Sequence, residues 1–157
     1  MRKSINFGYL DSEGWPSPTE FKPHFFGSDG LHWFPDSRAD SAALWAKGVN
    51  GTEHLQAGNG RIDIELLMWR NPDFGVLLIW SKWGGPYKEM FSSKGDLRRL
   101  RDFVSDLYGA LLPIGLFVPF ETAWKAVKEF IETNGELPKS IEWIANRDLP
   151  PGTFPDP

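Results

Sequence analysis

"RIDIELLMWRNPDFGVLLIWSKWGGPYKEMFSS" occupies residues 61–93, and its periodicity decides the fold. At its start, Ile62, Ile64, Leu66 and Met68 alternate with Arg61, Asp63 and Glu65, and Leu67 and Trp69 join the second set further along. A period of two puts the first set on one face of a strand and the second on the other. "RNPDF" turns the chain, and Gly75 opens "GVLLIWSKW", which is apolar on both faces until Ser81. A run of that kind belongs at the centre of a sheet. "GGP" at 84–86 turns the chain again into the more polar "YKEMFSS" at 87–93. Links this short join neighbouring antiparallel strands, so the stretch predicts a three-strand meander.

The next well-marked unit is "VPFETAWKAVKEFIETNGELPKSIEWI", residues 118–144. Phe120, Ala123, Trp124, Val127, Phe130 and Ile131 recur at helical spacing and form one broad apolar face. Pro119 suits the first turn, Asn134-Gly135 supplies a left-handed exit, and Pro138 keeps the helix from resuming. "SIEWI" at 140–144 then alternates as a short strand. Two further helices are predicted. "DSRADSAALWAKG" (36–48) has Asp36 or Ser37 as a cap, four good helix formers, and Gly48 as a stop. "GDLRRLRDFVSDLYG" (95–109) carries a stripe of Leu97, Leu100, Phe103, Val104 and Leu107 behind Asp96. "ALLPIGLFVP" (110–119) is an apolar connection with room for a short strand.

Residues 1–36 read as an irregular arm. Pro16, Pro18, Pro23 and Pro35 oppose a long helix, while Trp15, Phe21, Phe25, Phe26, Trp33 and Phe34 are too apolar for a free tail. The expected fold is therefore α+β: an antiparallel sheet, a three-strand meander plus a C-terminal strand, packed by two to three helices. The expected organisation is a single domain over 1–157, with the arm at 1–36, an α+β core at 37–145 and an extended tail at 146–157. A chain of 157 residues suffices for one core and is short for two.

Composition excludes several chemistries. There is no cysteine, hence no disulfide, thiolate nucleophile or cysteine metal site. The start "MRKSINFGYLDSEG" has no apolar segment of the kind a secretion signal carries, and no apolar run nears the ~18 residues of a membrane span. A cytoplasmic protein without a membrane partner is expected. The net charge of −4 is concentrated: five acids (Asp11, Glu13, Glu20, Asp29, Asp36) against Lys22 give −4 between 11 and 36, so the remainder sums to zero. The one basic cluster, "KGDLRRLR" at 94–101, is too short for a phosphate-tracking surface. A protein partner fits this balance better than direct contact with nucleic acid.

No catalytic motif is complete. His24, His32 and His54 are not at i,i+4 spacing, and metal ligation needs convergent ligands. "SSKGD" (92–96) and "AGNGR" (57–61) each lack glycines that phosphate or dinucleotide loops require. Asp63 and Glu65 share one strand face, which leaves open a small hydrolase; more often such a pair is the wet side of a sheet. Exposed rings, Trp83 beside "GGP" foremost, leave open a carbohydrate- or peptide-binding module. No cofactor is expected.

The C-terminal third resembles the immunity protein 1 family of bacterial polymorphic toxin systems. The resemblance lies in "VP-x-E-x-A", the "EF" near the helix end, the "TNG-x-LP" stop and "I-E-W". It is carried by Val118, Pro119, Glu121, Ala123, Glu129, Phe130, Gly135, Pro138 and Trp143. With the strands before it, the resemblance covers about half of the chain; the arm is not part of the pattern. It implies a non-enzymatic inhibitor that binds a cognate protein toxin, a nuclease or deaminase, in a 1:1 complex in the producer's cytoplasm. It also implies that the motif residues are structural, while the loops and the arm vary with the partner. Such an inhibitor blocks an active site or substrate groove with carboxylates and aromatic anchors. Charge and expected exposure select Asp11, Glu13, Asp29 and Asp36 for steering, and Trp33 or Trp83 as anchor.

Overall fold

The structure, a computed structural model, describes residues 1–7, 10–26 and 40–155. Its centre is the expected meander. Strands β4 (Asp63–Asn71), β5 (Gly75–Gly84) and β6 (Tyr87–Ser93) pair antiparallel in sequence order. On β4 the inward residues Ile64, Leu66 and Met68 are buried and the alternate ones half-buried, and β5 is buried on both faces from Gly75 to Ser81.

The sheet extends on both sides of this core. β1 (Arg2–Phe7), β2 (Leu10–Glu13) and β3 (Ser41–Lys47) lie beyond β4, and β10 (Trp143–Ala145) lies beyond β6. The order is β10-β6-β5-β4-β3-β1-β2, every pair antiparallel. Strand β9 (Phe117–Val118) pairs with Val76 and Leu77 of β5, beyond the end of β6. That pairing requires Gly75: its φ is +97°, and a Cβ there would stand 2.0 Å from the Val118 carbonyl oxygen. Helices α1 (Pro18–Phe26) and α2 (Phe120–Glu132) cover one face of the sheet. Phe21, Phe25, Trp124, Val127 and Phe130 are buried there against Leu44, Leu66, Met68 and Leu78.

The C-terminal unit has its expected helix and glycine exit, but its strand is Trp143–Ala145 and not residues 140–144. Asn134 and Gly135 both have positive φ, and the Gly135 N–H donates to the Phe130 carbonyl at 2.8 Å. The Gly135 carbonyl accepts the Trp80 indole N–H at 2.8 Å, which ties the helix exit to the central strand. Ala123 and Phe130 are fully buried, and Glu121 is exposed in the first turn. Pro119 stands at the cap, one place before the first turn. Pro138 is buried, and its carbonyl accepts the Trp143 indole N–H at 2.7 Å. The Glu129 carboxylate accepts the Lys139 backbone N–H at 2.5 Å, closing the loop between helix and strand.

Two predicted helices are not helices. Residues 41–47 form β3, because the gap between β1 and β4 needs a strand and "SAALWAK" also satisfies a period of two. Ala42, Leu44 and Ala46 face the helices, and Trp45 faces away. Tertiary pairing overrides alanine's helical preference, which is weak per residue. Asp36 and Ser37, the expected caps, lie outside the described residues. Residues 95–109 form a 3-10 turn (Leu97–Arg99) and a strand β7 (Phe103–Ser105) that pairs with β8 (Leu111–Pro113). Asp106 makes this hairpin: its carboxylate accepts the N–H groups of Tyr108 and Ala110, and Gly109 has φ +87°. Leu97, Leu100 and Val104 still pack inward, but Phe103 and Leu107 are exposed.

The arm is more regular than expected. Besides β1 and β2 it carries α1, which begins with a reciprocal cap: Ser17 Oγ accepts the Glu20 N–H and Glu20 Oε1 accepts the Ser17 N–H. "SPTE", with proline in the first turn, was the legible signal. Three of the expected rings pack on the domain: Phe21 is fully buried, Trp15 lies 5.0 Å from Phe130 and Phe25 lies 5.2 Å from Trp124, whereas Phe26 is exposed and Trp33 and Phe34 lie outside the described residues. Beyond β10 the chain forms a 3-10 turn at Asn146–Asp148.

Candidate functional site

The two faces of the sheet are covered differently. Opposite the helices, the excursion from 95 to 118 lies over only part of the sheet. Leu112, Leu116 and Phe117 are buried there against Leu77 and Ile79, with Leu67 and Ile144 beside them. The adjacent part of that face carries no layer among the described residues.

Ladder register defines the residues on this open part. One row runs Glu13, Ser4, Trp45, Glu65, Ser81, Met90 across β2, β1, β3, β4, β5 and β6. The next runs Arg2, Lys47, Asp63, Trp83, Lys88. Ser81 is small and stands among large neighbours, so the face dips at its position. The depression has a volume of about 290 Å³ and is lined by Trp45, Lys47, Asp63, Glu65, Ser81, Trp83 and Met90. Trp83 is 41% exposed and Met90 36%. They form a ridge, with a second hollow of about 180 Å³ on its far side beside Lys88, Asn146 and Arg147. Gly84 ends the strand at φ +111°, where a Cβ would stand 1.9 Å from the Arg61 carbonyl oxygen. The turn therefore sits tight against the start of β4 and holds Trp83 in place.

The two carboxylates of β4 are in different states. Asp63 is engaged: Arg61 donates to it through Nε and Nη2, both at 2.9 Å, and the Gly48 backbone N–H donates at 3.0 Å. The Asp63 bond holds the Arg61 guanidinium above its usual pKa. Glu65 makes no hydrogen bond among the described residues and no ion pair within 4 Å. Burial pushes its pKa above the usual carboxylate range, and the Lys47 charge offsets this in part. Lys47 is itself engaged, its ammonium 4.7 Å from the Trp45 ring centre.

The expected site residues are distributed as follows. Trp83 is on the open face, and Lys88 reaches to 5.9 Å from its ring centre. Glu13 is exposed at the sheet edge, four strands from Trp83, about 19 Å at ordinary strand spacing. Asp11 pairs with Asn6 on the same edge strand. Asp29, Trp33 and Asp36 lie outside the described residues. Trp45, Glu65 and Met90 are not among the partner contacts that charge and expected exposure point to. The register of β4 and β5 shows Glu65 beside Ser81, but Trp45 stood in a predicted helix and could not be placed next to them. No group of three or more His, Asp or Glu among the described residues is arranged to hold a metal.

The family model described as "Immunity protein Imm1" matches residues 33–145, which is 113 of the 157 residues. The chain belongs to the Imm1 immunity protein family. No curated protein and no solved structure matches it. The matched span of this Imm1 protein runs from before β3 through β10. It contains α2, the covered part of the outer face, the β3–β6 portion of the open part, and every residue that lines the depression. β1, β2 and α1 precede the span yet complete the sheet and the helical layer. An immunity protein acts by binding a toxin, so the surface open to a partner carries the functional question. Among the described residues, no helix is long and apolar enough to cross a membrane.

Proposed function

We propose that this Imm1 protein neutralises a cognate bacterial toxin by seating the open part of its outer sheet face over the toxin's active site or substrate groove. Family membership over residues 33–145 carries this reading. The ridge of Trp83 and Met90 supports it. Two large apolar side chains stay exposed on β5 and β6, toward one side of a face that also carries Arg2, Glu13, Lys47 and Lys88, and exposed apolar anchors beside charged groups are common in protein interfaces. The toxin is a nuclease or deaminase acting in the producer's cytoplasm, the complex is 1:1, and the immunity protein itself turns nothing over and contacts neither nucleic acid nor membrane. Asp11, Glu13, Asp29 and Asp36 steer the encounter, and Trp33 adds a second anchor.

The test is co-expression with the toxin encoded in the adjoining reading frame. Growth is expected to be rescued, and light scattering after gel filtration is expected to give one copy of each chain. Trp83→Ala should weaken the complex by roughly 30-fold or more, as loss of a central tryptophan does. Failure of the wild-type protein to bind and rescue would reject the reading. Full binding by the Trp83→Ala variant would move the interface elsewhere.

A further inference from the structure

We infer that the depression at Glu65 is a socket for an arginine side chain presented by the toxin. The inference rests on the toxin-binding reading above and adds the chemistry of the contact. Ser81 and Glu65 form the floor, and Trp45, Trp83 and Met90 form the walls. Every other charge near the floor is already engaged. Asp63 is held by Arg61 and the Gly48 N–H, Lys47 lies on the Trp45 ring, and Lys88 reaches toward Trp83 from the next strand. The Glu65 carboxylate is the one acid of the pocket with neither a hydrogen bond nor an ion pair within 4 Å among the described residues; the Lys47 charge acts on it from the neighbouring strand while the ammonium rests on the Trp45 ring.

A half-buried carboxylate without a donor selects its ligand. An anion is repelled by it. A neutral apolar group would bury it further without a partner, which is costly. A cation that is planar, weakly hydrated and able to give two parallel N–H bonds to a carboxylate while stacking on indole meets every wall of the pocket. That description fits guanidinium and not ammonium, which is compact and strongly hydrated. Lys47 already places a cation on the Trp45 ring, 4.7 Å from its centre, and so occupies part of the ground that the incoming group needs. Lys47 is the internal competitor of the socket.

The probe is N-acetyl-L-arginine amide, titrated into the full chain while the indole N–H signals of Trp45 and Trp83 are followed by NMR. A saturable shift in the low millimolar range is expected for one isolated side chain. Glu65→Gln should weaken it at least tenfold, and Lys47→Met should tighten it. The neutral isostere N-acetyl-L-citrulline amide should bind at least tenfold more weakly, and the lysine amide more weakly than the arginine amide. Equal shifts from citrulline, no effect of Glu65→Gln, or no saturation would overturn the socket. Glu65→Gln introduces no new buried charge, and its unfolding temperature, measured alongside, shows that the variant is folded. In the second arm, Glu65→Gln should weaken the complex with the adjoining toxin roughly 30-fold or more. If wild type does not bind that toxin, the proposed function fails while the amide titration still decides the socket. If wild type binds and the variant binds equally well, the proposed function stands and this inference falls.

Discussion

Trp15 joins the segment before the matched span to the rest of the sheet, and its replacement measures that coupling. Its indole N–H donates to the Ser4 carbonyl at 3.1 Å and the Trp45 carbonyl at 2.9 Å. Its ring lies 5.0 Å from Phe130, and the Lys3 ammonium is 4.6 Å from the ring centre. Truncating a core tryptophan to alanine costs about 3–5 kcal/mol. Trp15 is half-buried, so the lower end applies, about 3 kcal/mol. Trp15→Phe keeps most of the packing and loses the N–H, whose net worth is about 1 kcal/mol. For a chain of this size 1 kcal/mol moves the Tm by about 2–4 °C. The alanine variant should therefore melt about 6–12 °C lower and the phenylalanine variant about 2–4 °C lower. Urea unfolding followed by far-ultraviolet circular dichroism is the suitable assay, because eight tryptophans complicate fluorescence. An alanine variant within about 0.5 kcal/mol of wild type, the range of an ordinary surface change, would refute the coupling. So would a separate early transition.

Other perturbations read different parts of the structure. Ser17→Ala removes the α1 cap and should cost about 1 kcal/mol; a double-mutant cycle with Glu20→Ala should show coupling between the two, and strict additivity would contradict the reciprocal cap. Gly75→Ala and Gly109→Ala both place a side chain at positive φ, about 1–2 kcal/mol of strain. Only the Gly75 Cβ meets an atom, the Val118 oxygen at 2.0 Å, while the Gly109 Cβ meets nothing within 4 Å. The first variant should lose soluble expression or most of its stability and the second only the strain, as urea midpoints would show. For Glu65, burial raises the folded-state pKa, so the native chain holds this proton at pH values where the unfolded chain has released it. Ionised Glu65 therefore costs stability as pH rises through the interval above the unfolded value of about 4.3. Glu65→Gln should raise the Tm at pH 7, with the advantage shrinking toward pH 4; a difference that does not change with pH would disprove the burial argument.

Local periodicity by itself determined the meander, the helix at 120–132 and its Asn134-Gly135 exit. In each case the pattern is long, and on β4 and the helix a slip of one residue would turn apolar side chains to water. The same unit carried the family resemblance, because Ala123, Phe130, Gly135, Pro138 and Trp143 are held in place by packing and backbone geometry. Only the tertiary structure decided the rest. Residues 41–47 are strong helix formers that also alternate, and pairing with β1 and β4 settled the choice. Residues 95–109 have a helical stripe, yet covering part of a sheet face suited an extended hairpin turned by Asp106 and Gly109. The open depression is an effect of register: Trp45, Glu65, Ser81 and Met90 come from four strands and become neighbours only when those strands align. Spacing along the chain records which face a side chain takes within its own strand. It does not record which strand lies alongside, and that is what sets Glu65 between Trp45 and Ser81 without a hydrogen-bond donor among the described residues.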